Sequence, residues 1–434
     1  MFNKFKPISI SLSPNVQKDD VVLALKLIFQ SWKWRKGDAI KELENQFKNY
    51  LDVKYVVSFN SGRSSLFAIL KALDLPEASD AKPCSETAVS ATGVLLQAFT
   101  CNAVPNPILW AGLNPIYVDC SKENFNIDII KLDALIRANK GFTDNKGSVL
   151  VVQHTFGLPA NMDEIMALAK EYNITVIEDC AHALGATHHG QRIGTFGKAA
   201  FFSFSRDKVI SCVYGGMAVT NNDEIGQKLE QLQEEFGQPS FFWIKQQLLH
   251  PILLHFIILP IYNFLDLGKV FLILSQWFHI LSKAVSWQEK RGLRPQYFPK
   301  ALPNALAIMA QNQFNKLDKF NLHRQKIAEF YFKELQNTSF VLPPRNGIFL
   351  RFSVQHPKAH QIIYEAWHKE NMLLGDWYTT PIAPDDTKLD EIKYKIGSCP
   401  NAEALSKTTL NLPTHINIYL SDVQRIVNFL KKYK

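Results

Sequence analysis

A carboxylate and a lysine each follow a short apolar run in the middle of this chain. Asp179 ends the run Val176-Ile-Glu-Asp, and Lys208 comes shortly after Phe201-Phe-Ser-Phe. A lysine amine can bond an aldehyde, and a carboxylate can keep a pyridine nitrogen protonated, which is the pair that pyridoxal phosphate needs. The same two residues also fit an ordinary surface salt bridge, because the chain has 40 acidic residues. Further residues must decide between these interpretations.

A phosphate group needs hydrogen-bond donors, and the segment Ser61-Gly-Arg-Ser-Ser offers them between a predicted strand and a predicted helix. The N–H groups at a helix N-terminus bind anions, and the hydroxyl groups of Ser64 and Ser65 lie beside them. Gly62 permits a close approach, and Arg63 pairs with the phosphate or lies on the surface. Local helix capping by serine is the competing interpretation.

The elements that carry these residues form a repeating pattern of short apolar strands and amphipathic helices. Because such alternation is typical of a mainly parallel sheet covered on both faces, we expect an α/β fold with ligands at the carboxyl ends of the strands. The predicted strands lie near residues 55–59, 93–96, 115–119, 148–154, 174–179 and 199–204.

Composition restricts the class of protein. The chain has 434 residues, of which 47% are hydrophobic and 20% charged, and this excludes disorder, collagen and coiled coil. A formal net charge of +8 indicates anionic ligands or surroundings. Six cysteines without CxxC spacing, and a start without an apolar signal core, predict a cytoplasmic protein with no metal site. Scattered lysines without a recognition motif argue against nucleic-acid binding.

The distribution of apolar and charged residues along the chain predicts a large domain over residues 1–236, an apolar insertion over 237–296 and a smaller C-terminal α/β domain over 297–434. Within the insertion, Gln246–Leu265 carries no formal charge, and a second apolar segment follows from Leu267. We favour a bent hairpin that, with the amphipathic helix after it, dips into the cytoplasmic leaflet, helped by the net positive charge. A helical subdomain buried at a dimer interface or against the core is the alternative. Pro251 and Pro260 argue against a straight transmembrane span.

Six motifs occur along the chain in the order found in a known family. The runs SGRSSL, FTCNAVPNPILWAGLNPIYVD, HTFGLPANMDEI, VIEDCAHALGA, GTFG and FSFSRDK with GGMAVTN resemble the DegT/DnrJ/EryC1/StrS aminotransferases of nucleotide-linked sugars. The resemblance covers residues 8–236 and 297–434. It implies a homodimeric fold-type-I transferase that holds pyridoxal 5'-phosphate (PLP) between its large and small domains.

The resemblance also implies roles for individual residues. Lys208 is similar to the lysine that forms the Schiff base, Asp179 to the partner of the pyridine nitrogen, and His182 to the Gln or His beside the cofactor ring. Lysine at position 208 favours transamination, since relatives with histidine there are sugar dehydratases. The phosphate would be held by Gly62, Arg63, Ser64 and Ser203.

Three segments depart from the family pattern. Cys101 stands where relatives place an aromatic residue that stacks on the cofactor, with Phe99 two positions away. The run from Tyr297 to Asn304 replaces a motif whose asparagine reaches the partner subunit's phosphate, with Lys300 or Asn304 as substitutes. Val213 and Tyr214 replace Gly-Glu near the substrate.

Two histidines fall where relatives line the sugar site, namely His154 and His415, and either is equally well a structural histidine. Trp377 and Tyr378 would contact substrate or fill the core. Together these features predict a PLP-dependent aminotransferase that transfers an amino group, with glutamate as the expected donor, to a nucleotide-linked keto sugar for a surface polysaccharide or glycolipid. The alternative is a catalytically silent scaffold that binds a membrane or partner through the insertion.

Overall fold

A computed structural model describes residues 6–76, 93–139 and 148–433 of the chain. Its strands lie in one large sheet and several two-stranded pairs. In chain order they are β1 (Ile8–Ser9), β2 (Tyr55–Phe59), β3 (Gly93–Gln97), β4 (Thr100–Cys101), β5 (Asn114–Val118), β6 (Val149–Gln153), β7 (Thr175–Asp179), β8 (Thr187–His188), β9 (Gln191–Arg192), β10 (Ala199–Ser203), β11 (Gly216–Thr220), β12 (Phe352–Gln355), β13 (Met372–Leu373), β14 (Ile382–Ala383) and β15 (Thr409–Leu412).

The α-helices alternate with these strands over most of the chain. In chain order they are α1 (Lys18–Ile28), α2 (Ala39–Leu51), α3 (Gly62–Ala72), α4 (Pro105–Trp110), α5 (Ile129–Ala138), α6 (Met162–Glu171), α7 (Asp223–Phe236), α8 (Phe241–Leu253), α9 (Leu267–Trp277), α10 (Asn304–Phe314), α11 (Leu317–Leu335), α12 (Ala359–Glu370), α13 (Pro400–Thr408) and α14 (Leu420–Leu430).

The central sheet has seven strands in the order β2-β11-β10-β7-β6-β3-β5. The five strands from β10 to β5 are parallel, and β11 is antiparallel to both of its neighbours. Every residue of β3 and β6 is buried, as expected for parallel strands with both faces covered. The predicted mainly parallel α/β sheet is therefore confirmed.

Helices cover the sheet because their apolar residues recur at helical spacing. In α2, the buried positions Ala39, Leu43, Phe47 and Leu51 are four residues apart and form one face. Phe47 contacts Phe202 of β10 with ring centres 5.8 Å apart. This packing joins the helix directly to a strand that leads into the Lys208 loop.

A smaller unit follows α10. Strands β12 and β15 pair antiparallel, and α11, α12, α13 and α14 contribute to a separate hydrophobic cluster around them. Two short parallel pairs join this unit to the rest of the chain, since β1 pairs with β13 and β4 pairs with β14. The proposed boundary at residue 297 divides one cluster, because Ala305, Leu306 and Met309 of α10 pack in the core of the large domain.

The apolar insertion folds as two helices joined by a bend. Helix α8 contains Pro251 and passes into a wider π-helical turn at Leu254–Ile258 before the chain reverses into α9. By length and composition, Phe241–Ile258 is the one candidate membrane span among the described residues, and 50% of it is buried in the protein. Trp243, Ile244 and Leu248 lie in the large-domain core. Helix α8 is therefore a packed helix of the fold, whereas α9 packs through one side only, on the bend that follows α8.

Candidate active site

The sheet register brings Asp179 and Lys208 to the same edge. Asp179 ends β7 and pairs in register with Gln153 of β6 and Phe201 of β10, and the loop after β10 carries Lys208. A cavity of about 470 Å³ opens at this edge. Seven of the predicted site residues line it: Gly62, Arg63, Cys101, Asp179, His182, Ser203 and Lys208.

Lys208 lies in surroundings that favour its neutral amine. Burial lowers the pKa of Lys208 to about 8, although the nearby Asp179 carboxylate and Cys101 thiol oppose this shift. Its Nζ atom lies 5.0 Å from the centre of the Trp377 ring. Because only the neutral amine attacks an aldehyde, this environment suits a lysine that bonds a cofactor near neutral pH.

Two buried polar residues hold the backbone that carries Lys208. Asn15 donates from Nδ2 to the Lys208 carbonyl at 2.6 Å and to the Val209 carbonyl at 3.2 Å. The guanidinium of Arg324 donates to Asn15 Oδ1 at 3.0 Å and to the Val209 carbonyl at 2.8 Å. Arg324 is fully buried in α11, so the smaller unit positions the lysine loop of the larger one.

Asp179 is buried at the base of the cavity. Its Oδ1 accepts the Ala181 N–H at 3.0 Å, and its backbone carbonyl accepts the His154 N–H at 3.2 Å. Burial raises the pKa of this carboxyl, and the Ala181 N–H and the Lys208 ammonium oppose the rise. A carboxylate held in this way gains stability from a cationic partner, which a protonated pyridine nitrogen would supply.

His182 is neutral and forms part of an aromatic stack. The Phe156 N–H donates to its Nδ1 at 3.2 Å, so the neutral ring carries its proton on Nε2 and can donate from there. Burial lowers the pKa of His182 well below its usual value, and Lys208 and Arg351 add to the effect. The ring lies nearly parallel to that of Trp377, with centres 5.3 Å apart.

Trp377 and Arg351 were not assigned to the cofactor site by sequence. The Arg351 guanidinium carbon lies 3.4 Å from the centre of the Trp377 ring, and its Nη2 lies 3.9 Å from Asp207 Oδ2. Trp377 and Asp207 both line the cavity. Phe99 instead lies buried against Phe125, Phe156 and Tyr378. The aromatic wall near Lys208 is therefore Trp377 of the smaller unit, with Cys101 also at the cavity.

The first turn of α3 forms the end of the cavity suited to phosphate. Ser61 caps the helix by accepting the Ser64 N–H at 3.0 Å, while the Ser64 hydroxyl donates to Asn60 Oδ1 at 2.7 Å. Ser64 is thus bonded within the fold, and Ser61 is the serine of this turn that lines the cavity. A Cβ atom on Gly62 would lie 2.9 Å from the Ser203 Cβ, so only glycine lets this turn approach β10.

The end of the insertion closes one side of the cavity. Arg63 forms a buried ion pair with Glu289, and its Nη2 donates to the Ala284 carbonyl at 3.3 Å. The Tyr214 hydroxyl donates to the same carbonyl at 3.2 Å. Ala284 and Val285 line the cavity, so a segment that sequence placed in the insertion contributes to the predicted cofactor site.

The two candidates for the missing partner-subunit contact are bonded within their own chain. Lys300 donates from Nζ to the Phe236 carbonyl at 2.8 Å. Asn304 donates to the Lys33 carbonyl at 2.8 Å and accepts the Ala39 N–H at 3.1 Å. Both side chains therefore fix the start of α10 against the large domain.

Neither histidine assigned to the sugar site belongs to the cavity lining given by the described residues. His154 is fully buried, accepts the Ala160 N–H at 3.0 Å and contacts Glu178 at 3.3 Å. His415 bonds through Nε2 to the Ser9 carbonyl at 2.8 Å, and burial lowers its pKa to about 3. Their role in sugar binding rests on the family resemblance alone.

The residues at this edge fit PLP by the chemistry of their groups. The cavity offers a buried amine, a buried carboxylate, a donor histidine and, at its far end, the N-terminus of a capped helix. Helix N-termini bind phosphate because their first N–H groups have no acceptor within the helix. The site therefore has a partner for the aldehyde, the ring nitrogen and the phosphate of this cofactor.

Comparison with known proteins identifies the class first. The fold matches Helicobacter pylori PseC, an aminotransferase of pseudoaminic acid biosynthesis, with a TM-score of 0.71 and 20% identity, covering 98% of this chain and 99% of that one. With this fold, and with a match to an aminotransferase family model over most of its length, the chain is a PLP-dependent transaminase of fold type I. The predicted fold class, enzyme class and cofactor are confirmed.

The family then follows from sequence. The profile of the DegT/DnrJ/EryC1/StrS aminotransferase family matches residues 15–246 and 296–431, and the chain belongs to this family. It is 23% identical to the UDP-N-acetyl-3-dehydro-alpha-D-glucosamine 3-aminotransferase of Acidithiobacillus ferrooxidans, covering 96% of this chain and 94% of that protein. It is 30% identical to the GDP-perosamine synthase of Caulobacter vibrioides over 52% of this chain and 56% of that protein.

Proposed function

We propose that the enzyme transfers an amino group from glutamate to a keto group of a nucleotide-linked sugar, for a surface polysaccharide or glycolipid. The observation that carries this proposal is the buried Lys208 and Asp179 pair at one cavity. A relative that matches nearly the whole chain is named as an aminotransferase of a UDP-linked sugar. Another, which matches about half of the chain, is named as the synthase of a GDP-linked amino sugar. Lysine at position 208, rather than histidine, favours amination over dehydration.

Each residue of the site has a distinct task in this proposal. Lys208 would hold the cofactor through its amine, and the same amine would take the proton from the α-carbon of the amino donor and later give a proton to the sugar carbon that receives the amino group. Asp179 holds a proton on the ring nitrogen, and His182 donates from Nε2. The end of the cavity proposed for the phosphate is lined by Gly62, Arg63 and Ser203, and Ser64 lies next to it. The ion pair with Glu289 holds the Arg63 side chain in place there. When bound, PLP supplies a ring that accepts electrons from that carbon.

We also propose that the enzyme is a cytoplasmic homodimer. The cysteines of the described residues are all free, which supports a reducing compartment; Cys84 lies outside those residues. The dimer is supported by the family resemblance. Light scattering of the purified chain would test it, with a monomer mass as the contradicting result.

A substrate screen tests the proposed reaction. We expect one or more keto-sugar nucleotides to give an amino sugar and 2-oxoglutarate when the chain is supplied with PLP and glutamate. Lys208→Ala should give neither product. A chain that binds PLP without turning over any keto sugar, with glutamate or another amino acid, would contradict the proposal and favour the silent scaffold.

A further inference from the structure

Helix α9 exposes a continuous apolar surface. Val270, Ile273, Leu274 and Trp277 are between 43% and 71% exposed, although each is a large hydrophobic side chain. Residues just before and after the helix extend the surface, with Leu265 79% and Phe278 63% exposed. Single exposed hydrophobic residues are common on proteins, but a contiguous group of this kind marks an interaction site.

The opposite side of α9 already packs against the protein. Gly268 and Ser275 are its buried residues, and Phe271 and Leu272 pack against a small cluster formed by Leu254 and neighbouring side chains. The cation of the helix, Lys269, is bonded to Asp266 and lies 4.3 Å from the centre of the Trp367 ring. A helix on the surface of a protein in water normally turns polar residues outward, and α9 turns apolar ones outward.

This surface lies in the part of the chain that the family does not share. The family profile stops at residue 246 and resumes at 296, so α9 and the bend before it fall in the gap. The cofactor cavity, by contrast, is formed almost wholly by matched residues. The exposed surface therefore calls for a function that the shared transaminase fold does not require.

A cationic cavity of about 760 Å³ adjoins the apolar cluster under α9. It is lined by Leu12, Leu254 and Leu259, which belong to that cluster or pack on it. Three cationic side chains also line it, namely Lys6, Lys18 and Arg425, together with His255.

The carboxylates of this cavity are already engaged. Asp19 is bonded to Lys316, and Asp422 accepts the Tyr419 N–H at the start of α14. His415, the other histidine of the lining, is bonded to the Ser9 carbonyl. Lys6, Lys18 and Arg425 exceed Asp19 and Asp422 in the lining by one formal charge, and Lys316 pairs with Asp19, so the cavity presents a small excess of positive charge beside the apolar cluster.

We propose that α9 and the bend before it dock on an anionic lipid bilayer. Trp277 and Phe278 lie at the boundary between acyl chains and headgroups, and Lys6, Lys18 and Arg425 face lipid phosphates. The attachment is peripheral, because half of the candidate span Phe241–Ile258 is buried in the protein. A second copy of the chain fits less well, since a two-fold contact through this face would bring the two cationic cavities towards each other.

Vesicle flotation of the full-length, PLP-loaded chain tests this proposal. Vesicles of phosphatidylcholine alone are compared with vesicles that also contain phosphatidylglycerol. We expect the chain to float with the anionic vesicles, and Ile273→Gln with Trp277→Gln to weaken binding at least about tenfold. The matched control is Ile130→Gln with Ile396→Gln, since these side chains are 82% and 72% exposed on other elements. It should bind as the parent chain does.

A second pair of variants separates charge from apolar contact. Lys18→Gln with Arg425→Gln should weaken binding to anionic vesicles and make it less sensitive to salt. All variants should keep bound PLP, which shows that the fold is intact. The proposal fails if the parent chain does not float with anionic vesicles, or if the α9 variant floats as well as the control does. It also fails if light scattering shows that the α9 variant dissociates an oligomer that the control retains, because the face would then bind a second copy.

Discussion

The cofactor cavity and the α9 surface differ in how far their characteristic side chains are exposed to solvent. In the cavity, Lys208, Asp179 and His182 are buried, and hydrogen bonds fix the groups around each of them. On α9, Ile273 and Trp277 are 63% and 71% exposed. The cavity is thus arranged in advance for a small ligand, while the α9 surface is left for a large one. The difference predicts that catalysis and the proposed membrane attachment are separable in this enzyme.

The first prediction concerns the loss of activity when the amine of Lys208 is removed from the cavity. Lys208→Ala should lower the rate of amination by at least about 10³-fold, because the amine that moves the substrate proton is removed. The measurement is the formation of 2-oxoglutarate from glutamate with a keto-sugar nucleotide. Lys198→Ala, at an exposed lysine before β10, is the control and should keep the parent rate. Equal rates for the two variants would show that Lys208 is not the catalytic base.

The second prediction sharpens the electrostatics of the same cavity. Asp179→Asn should lower the rate of amination about 10²-fold, because the ring nitrogen then loses its anionic partner. It should also shift the midpoint of Lys208 titration to lower pH. The sign follows because the Asp179 carboxylate raises the pKa of the lysine, while burial lowers it.

The pH dependence of cofactor bonding to Lys208 measures that shift. In the parent chain the rate should rise as the pH passes through about 8 and level off above it, since only the neutral amine reacts. A midpoint in Asp179→Asn at or above the parent value would contradict the geometry. Asp163→Asn, at an exposed carboxylate of α6 that does not line the cavity, should leave the midpoint unchanged.

The third prediction tests whether the smaller unit holds the lysine loop. Arg324→Met leaves the Asn15 side-chain oxygen and the Val209 carbonyl without this donor, so the free energy of unfolding should fall by about 2 kcal/mol. Denaturant unfolding of the loaded enzyme measures this loss. Arg345→Met removes an exposed arginine that pairs with Glu329, and should change the same quantity by less than about 1 kcal/mol. An equal loss of unfolding free energy in the two variants would show that the buried hydrogen bonds of Arg324 do not stabilise the fold more than an exposed ion pair does.

The fourth prediction is the smallest and concerns a residue outside the cavity. His415→Gln should leave the KM for the sugar within about twofold of the parent value, because the structure places His415 against the Ser9 carbonyl. It should lower the free energy of unfolding by about 1 kcal/mol through that lost contact. A KM that rises tenfold or more while stability is unchanged would show that His415 takes part in binding the sugar.

Sequence alone predicted the parts of the site that depend on local order. Asp179 and Lys208 follow apolar strands, and neighbouring parallel strands bring their carboxyl ends to one edge. Gly62 and Ser203 were assigned to the cofactor site through the family resemblance, and the structure places them beside each other. The strand and helix pattern was sufficient because each element is strongly periodic or continuously apolar.

Sequence did not predict contacts between distant segments. Nothing near Arg63 indicates that Glu289, more than two hundred positions away, pairs with it. Arg351 and Trp377 likewise meet only when the smaller unit folds, and Trp377 reaches Lys208 only when that unit packs against the larger one. Such contacts are set by tertiary packing, for which one sequence gives no periodic signal.

The insertion shows the same limit in another form. Sequence predicted an apolar segment from Leu267 but left open whether lipid or protein covers it. The structure shows that Gly268 and Ser275 are buried and that Ile273 and Trp277 are exposed. A helix that is apolar on both sides looks the same in sequence whether protein or lipid covers its second face.

The most direct test of the central claim is the covalent bond between Lys208 and PLP. The purified enzyme is incubated with excess PLP, reduced with borohydride, digested and analysed by mass spectrometry. We expect the pyridoxyl mass on the peptide that contains Lys208, and its absence there in Lys208→Ala. A parent chain that carries no adduct on Lys208 under these conditions would contradict the account.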